Sequence, residues 1–264
     1  MIEIGKMTRT APAISRGGLD EAFNRVRPAY SRETVGKINL SKQIDAPQYT
    51  DVARPAKPSR PAQPTQSARP ASPSRLNMPE LLRPALKGQK VTLGIPQGKA
   101  ARLTVGFGWN VKDARCDVDA SAFLLTGAGR VPSDDWFVFY GHAESPDGAV
   151  CLRTDGRIDR QAISVELERL DPTIERIVFV MTINEALEKG LNFGMITEAW
   201  LRVLDGDGRE LVSYRPTELY ENITSMTLGE LYLRKGEWRF NPVGNGVSMD
   251  LAGQCAVYGV DISE

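Results

Sequence analysis

Apolar positions along this chain follow two different rhythms, and they fall in different regions. Near the N-terminus Leu19, Ala22, Phe23 and Val26 repeat at i, i+3, i+4 and i+7, the spacing of a short amphipathic helix that Pro28 stops. So short a helix is marginal alone, which makes it a frayed turn or a docking element. From residue 85 onward the period shortens to two. Gln89-Lys90-Val91-Thr92-Leu93 and Leu103-Thr104-Val105-Gly106-Phe107-Gly108-Trp109 alternate, with Gly94-Ile95-Pro96 as a turn between them. A further pair follows at residues 117–125 and 136–140, joined by a glycine-rich turn, and then strands at 149–152 and 162–167. Residues 176–183 form a nearly continuous β-rich apolar run, the mark of a central strand buried on both faces. Glu185-Ala186-Leu187-Glu188-Lys189 reads as one helical turn closed by Gly190. Asp205-Gly206-Asp207-Gly208 joins strands at 199–204 and 210–214, and Lys235-Gly236 joins strands at 228–233 and 237–240. Residues 251–258 suggest a short terminal helix.

About ten short strands with regular turn signals predict an all-β fold, an antiparallel β-sandwich of two packed sheets with short helical turns. Ahead of it, residues 47–84 hold nine prolines in 38 residues among Ala, Ser, Gln and Arg. Such a segment buries too little apolar surface to offset its ordering entropy and reads as an extended, disordered linker of polyproline-II character. The expected organisation is therefore a weakly structured arm over 1–46, a linker over 47–84 and one folded domain over 85–264.

Charge sharpens this division. The 264 residues balance 33 Lys/Arg against 33 Asp/Glu, but residues 1–84 carry 14 basic and 7 acidic groups, a net of +7, leaving −7 on residues 85–264. A basic arm on an acidic body suits contact with an anionic membrane surface or an acidic partner; a nucleic-acid role is not favoured, and a plain soluble tether fits as well. Cys116, Cys151 and Cys255 have no CxxC spacing and are odd in number, which suggests reduced thiols in a cytoplasmic protein. The single histidine, His142, reads as an exposed loop residue. No phosphate-binding glycine motif and no nucleophile with a neighbouring base is present, so no enzyme activity and no small-molecule substrate are expected. Trp109, Trp136, Trp200 and Trp238 lie in strand-like runs and read as core anchors.

Candidate chemistry centres on the stretch 117–148. Asp117 and Asp119 alternate on one strand face, Ser133-Asp134-Asp135 precedes the next run, and Ser145-Pro146-Asp147-Gly148 follows. These are hard oxygen donors of the kind Ca²⁺ takes, six to eight at about 2.3–2.6 Å. They are equally the residues that turns use anywhere, and no EF-hand spacing is present.

Several blocks in order carry a resemblance: Lys87-Gly88-Gln89-Lys90-Val91, Gly108-Trp109, Asp117-Val118-Asp119-Ala120-Ser121, Ser133-Asp134-Asp135-Trp136, Ser145-Pro146-Asp147-Gly148, Ile177-Val178-Phe179-Val180, Gly190-Leu191-Asn192-Phe193-Gly194, Gly229-Glu230-Leu231-Tyr232 and Gly236-Glu237-Trp238. Together they resemble the TerD-type tellurium-resistance and stress-response family over roughly residues 85–262. The resemblance implies a calcium-binding, non-catalytic adaptor or scaffold, often at the inner membrane face, whose partners are other proteins of that response. Carried over by position, Asp117, Asp119, Asp134, Asp135 and Asp147 would supply carboxylate oxygens to Ca²⁺, with Asn184, Glu185 and Asn192 as accessory donors. Where relatives carry a long acidic loop, this chain has residues 153–161, in which Asp155 and Asp159 are interleaved with Arg153, Arg157 and Arg160. Like charge repels a cation at this range. The expectation is a single weakened site that includes Asp155, or a metal-independent scaffold in which the arginines replace the cation.

Overall fold

The computed structural model describes residues 75–154 and 158–261, so the amphipathic segment at 19–26, the arm and most of the linker lie outside the described residues. Eleven strands form two antiparallel sheets. The first has the order β1 (Val91–Pro96), β11 (Glu237–Val247), β10 (Ser225–Arg234), β7 (Ile174–Ile183), β3 (Val118–Thr126) and β4 (Phe137–Val138). The second runs β5 (Val150–Thr154), β6 (Gln161–Glu166), β2 (Arg102–Val111), β8 (Ile196–Leu204) and β9 (Glu210–Tyr214). Two short helices complete it, α1 (Ala186–Lys189) and α2 (Leu251–Tyr258).

Alternation decides which side chains meet. Leu103, Val105 and Phe107 on β2 face Ile177, Phe179 and Met181 on β7 in one core between the sheets. The intervening residues of β7, Val178 and Val180, join Phe123, Leu125, Cys255 and Val260 in a second cluster beneath α2. This is why the run from 177 to 181 is apolar throughout: β7 is covered on both faces there. Asp250 starts α2 by accepting the Gly253 N–H at 2.8 Å, and Gly259, at φ 82°, ends it. The Lys235-Gly236 hairpin has both residues at positive φ, 52° and 74°, as a type I′ turn requires.

Three details differ from the sequence expectation. Gly94 does not end β1; at φ 70° it sits at a bulge between Thr92 and Ile95, and the strand continues to Pro96. The run at 136–140 keeps only the two residues of β4, because Asp134–Trp136 form a 3-10 turn and Phe139 pairs back onto His142. Arg75 and Leu76, inside the stretch read as linker, already make contacts with the body, to Glu198 and Asn110. The Ala85 N–H bonds Ser213 O at 2.8 Å and Ser213 N–H bonds Arg83 O at 2.9 Å, a parallel bridge along edge strand β9. Backbone pairing holds a segment whose side chains alone gave no strand signal.

Burial sets the thiols apart. It pushes the Cys255 thiol up to about 12 and raises that of Cys116, whereas Cys151 is only half-buried. With folded pKa values above the ordinary thiol range, Cys116 and Cys255 stay protonated at pH 8 and unreactive. Titrating the native chain with a thiol reagent at pH 8 is expected to modify Cys151 alone, with the other two reacting only after denaturant is added.

Candidate functional site

In an antiparallel hairpin the first residues of the two strands lie at opposite ends, and this divides the acidic set. Val118 stands opposite Ile183, and Asn184 N–H bonds Asp117 O at 2.8 Å, so Asp117, Asp119 and Asn184 share one tip of the sandwich. Phe137 instead pairs with Phe123, which places Asp134 and Asp135 toward the end where Thr126 meets Ile174. Asp147 lies there too, its Oδ2 accepting the Asp171 N–H at 2.8 Å just before β7 begins. The ten-residue β7 separates the two groups by about 30 Å, at ~3.3 Å per residue.

Two acids at the far end, Asp147 and Asp134, are occupied by the fold. Asp147 Oδ1 accepts Ser145 Oγ–H at 2.6 Å and the Ala149 N–H at 2.9 Å, closing the Ser145-Pro146-Asp147-Gly148 turn and tying it to the loop before β7. Asp134 Oδ1 accepts the Asp261 N–H at 2.8 Å, anchoring the chain after α2. His142 Nε2 lies 3.1 Å from Asp135 O in the same loop.

At the tip the carboxylates meet amides. Asn184 Nδ2 donates to Asp117 Oδ2 at 3.4 Å. Gln161 Nε2 donates to Asp119 Oδ1 at 3.3 Å while its Oε1 accepts the Ala120 N–H at 2.6 Å, bridging the first residue of β6 to β3. Glu185, in the left-handed region at φ 52°, pairs with Lys189. Asn192 lies farther along the same connection, its Oδ1 buried with no hydrogen-bond partner. Asp113 also belongs to the tip: the Arg115 guanidinium, 2.6 Å from its Oδ2, holds its carboxyl below the usual range. Asp155 and Arg157 lie outside the described residues. Among the described residues no group of three or more His, Cys, Asp or Glu side chains is placed to hold a metal ion. With Asp113 and Glu185 ion-paired to Arg115 and Lys189, the described tip offers the carboxylates of Asp117 and Asp119 and the Asn184 amide, part of the oxygen shell that Ca²⁺ takes.

Beside the tip lies a feature that periodicity did not reveal. Asp159 is 3% exposed, and its carboxylate accepts from Arg202 Nη2 at 2.6 Å and from Trp200 Nε1 at 2.8 Å. Both partners point away from the inter-sheet core, onto ground cleared by glycines. A Cβ at Gly106 would lie 2.2 Å from Asp159 Oδ2, and one at Gly108 would lie 1.9 Å from the Trp200 indole. The pair fixes the end of the arginine-bearing loop, where Arg160 Nε donates to Trp109 O at 2.7 Å and the guanidinium lies 5.8 Å from the Trp109 ring centroid. Gly106-Phe107-Gly108 was the available sequence signal: two glycines on one strand face imply something bulky lying against it.

Residues 85–258 match the family model described as the TerD domain. The chain belongs to the TerD family. The tellurium resistance protein TerD of Serratia marcescens is 35% identical over 186 residues, covering 67% of this chain and 97% of that protein. General stress protein 16U of Bacillus subtilis (strain 168) is 33% identical over 186 residues, covering 67% of this chain and 96% of that protein. A crystal structure of a protein of unknown function shares the fold, with a TM-score of 0.50 at 22% identity over 61% of this chain and 98% of that one. These TerD relatives are named for resistance and stress. Among the described residues of this TerD chain no helix is long and apolar enough to cross a membrane.

Two substitutions test the buried pair. Asp159→Ala strands the Arg202 charge, 9% exposed, and is expected to cost about 3–5 kcal/mol in denaturant melts. Gly108→Ala drives a methyl into the Trp200 ring and should cost ~1–3 kcal/mol or more. A loss below about 0.5 kcal/mol in either would show that the loop is not held this way.

Proposed function

We propose that this chain is a non-catalytic scaffold of a tellurium-resistance-type stress response, with the tip formed by Asp117, Asp119 and Asn184 as its cation-responsive contact point. The observation that carries the reading is the meeting of Asp117 with Asn184 where β3 starts and β7 ends, with Asp119 one alternation further along. A bound Ca²⁺ would supply charge neutralisation at that rim. Asp117 and Asp119 would hold it, and turning the Asn184 amide presents Oδ1 in place of Nδ2. Asp155 is the remaining candidate donor from the adjacent loop. Held together in this way, the β2–β3 connection and the β7–β8 connection form one stiff surface for a partner protein of the same response. The basic N-terminal region then supplies attraction to an acidic partner or to the inner face of the membrane. A cytoplasmic setting goes with this reading.

The second reading, a metal-independent scaffold, draws support from the ion pairs and the amide hydrogen bond already made at the tip. Arg115 pairs with Asp113, Lys189 with Glu185, and the Gln161 amide with Asp119.

Calorimetric titration of the full chain with CaCl₂, without Mg²⁺, separates the two. Cation binding at a tenfold excess over Kd adds about 1.4 kcal/mol, which is roughly 3–6 °C in Tm for a domain of this size. Asp117→Asn/Asp119→Asn is expected to abolish both the heat and the shift. A Tm indifferent to millimolar Ca²⁺ and to chelator, with the double substitution tolerated, removes the cation and leaves the second reading.

A further inference from the structure

The family match begins at Ala85, yet ten residues before it are already seated on the protein. This strap, residues 75–85, runs from Asn110 on β2 to the edge strand β9 of the five-stranded sheet, and its anchors grip the backbone. The Asn110 side chain accepts the Leu76 N–H through Oδ1 at 2.9 Å and donates to Leu76 O through Nδ2 at 2.9 Å, copying the two bonds of a β-bridge. Nδ2 also reaches Glu198 Oε2 at 2.8 Å, which fixes the amide's orientation. At the other end Glu210 Oε1 accepts the Arg83 N–H at 2.7 Å, and Ser213 exchanges backbone bonds with Arg83 O and Ala85 N. Asn110, Glu210 and Ser213 are all buried, so the anchors are built into the sheet. Between them Leu76, Met78, Pro79 and Leu81 are the half-buried, inward positions, and Asn77, Glu80 and Leu82 are exposed.

An anchor set that addresses N–H and C=O groups at two points about seven residues apart recognises extended peptide by conformation, with side-chain preference added by the inward positions. Among the described residues the strap's own charged side chains add one ion pair, Arg75 with Glu198 at 3.5 Å. The strap joins the body through residues 86–90, all exposed, with Gly88 at φ 78°. Opening there draws Ala85 out of the edge of the core, while the Gly88 N–H bond to Pro242 O at 2.7 Å keeps the root of the connection on the body.

We propose that the strip from Asn110 and Glu198 to Glu210 and Ser213 is a docking site for extended peptide, filled in the single chain by its own residues 75–85. Its partner in trans is the same segment of a second copy, so that two chains exchange straps through their 86–90 hinges. Exchange needs no new contact, because the anchors are indifferent to which copy supplies the backbone. The charges of the sequence favour attraction between copies, net +7 over residues 1–84 against net −7 over residues 85–264. Linked in cis, the strap competes at an effective concentration of about millimolar, so a free peptide meets a site that is nearly full.

The probe is a fluorescently labelled peptide with the sequence of residues 75–86, titrated into the full chain. Leu76→Pro removes the N–H that Asn110 accepts and lies outside the family-matched domain. It is expected to expose residues 75–85 to protease and to bind the peptide about tenfold or more tightly than the unaltered chain does. Adding Asn110→Ala, or separately Glu210→Ala, to that variant should abolish binding, with a circular-dichroism melt confirming that each double variant is folded. In sedimentation the unaltered chain should form a dimer at high concentration that excess peptide dissolves. An unprotected strap in Leu76→Pro together with no peptide binding overturns the docking site. Peptide binding without any dimer overturns the exchange between copies, and leaves the outcome of the cation titration untouched.

Discussion

A buried carboxylate on the outer face of the five-stranded sheet organises more of this protein than its size suggests. Asp159 sits in the space left by Gly106, bonded to Arg202 and to the Trp200 indole, which itself fills the space left by Gly108. The desolvation cost of such a pair is met only when both partners are held in place. Here the sheet fixes Arg202 and Trp200, both on β8, and the pair in turn pins the loop that enters β6. Arg160 and Gln161 follow directly, and Gln161 reaches across to β3 to bond Asp119 and the Ala120 N–H. The conformation of the acidic tip therefore depends on an ion pair that belongs to the other sheet.

Antiparallel connectivity imposes the second constraint. A chain that reverses direction delivers the starts of consecutive strands to opposite ends, so acids close in sequence are distributed rather than pooled. Asp147 and Asp134 do local work, closing a turn and anchoring the chain after α2. Asp117, Asp119 and Asn184 meet because β3 and β7 are neighbours running in opposite senses. The result is a small polar tip in which most of the described charges already have partners.

The outer faces of the two sheets are covered differently. On the six-stranded sheet α2 supplies apolar side chains and forms a second core with Phe123 and Val180. On the five-stranded sheet the cover is a polar arrangement, Asp159 and its partners at one place and the strap held by Asn110 and Glu210 at another. Covers of the first kind depend on buried area, whereas those of the second depend on a few directed bonds. The second kind is the easier to exchange.

Much of the architecture was legible from residue order alone. Period-two alternation located the strands, the glycine and aspartate turns set the hairpins, and the doubly apolar run at 176–183 marked β7 as central, because these features are local or depend only on which face is wet. Asp250 and Gly259 likewise bound α2 through their own backbone geometry. What residue order left open was which distant groups would meet. The far-end placement of Asp134 and Asp147, the Asp159–Arg202 pair 43 residues apart and the Asn110–Leu76 clamp are all long-range contacts, and none has a spacing that recurs in sequence. A side chain's type says what bonds it needs; the tertiary structure alone decides who supplies them.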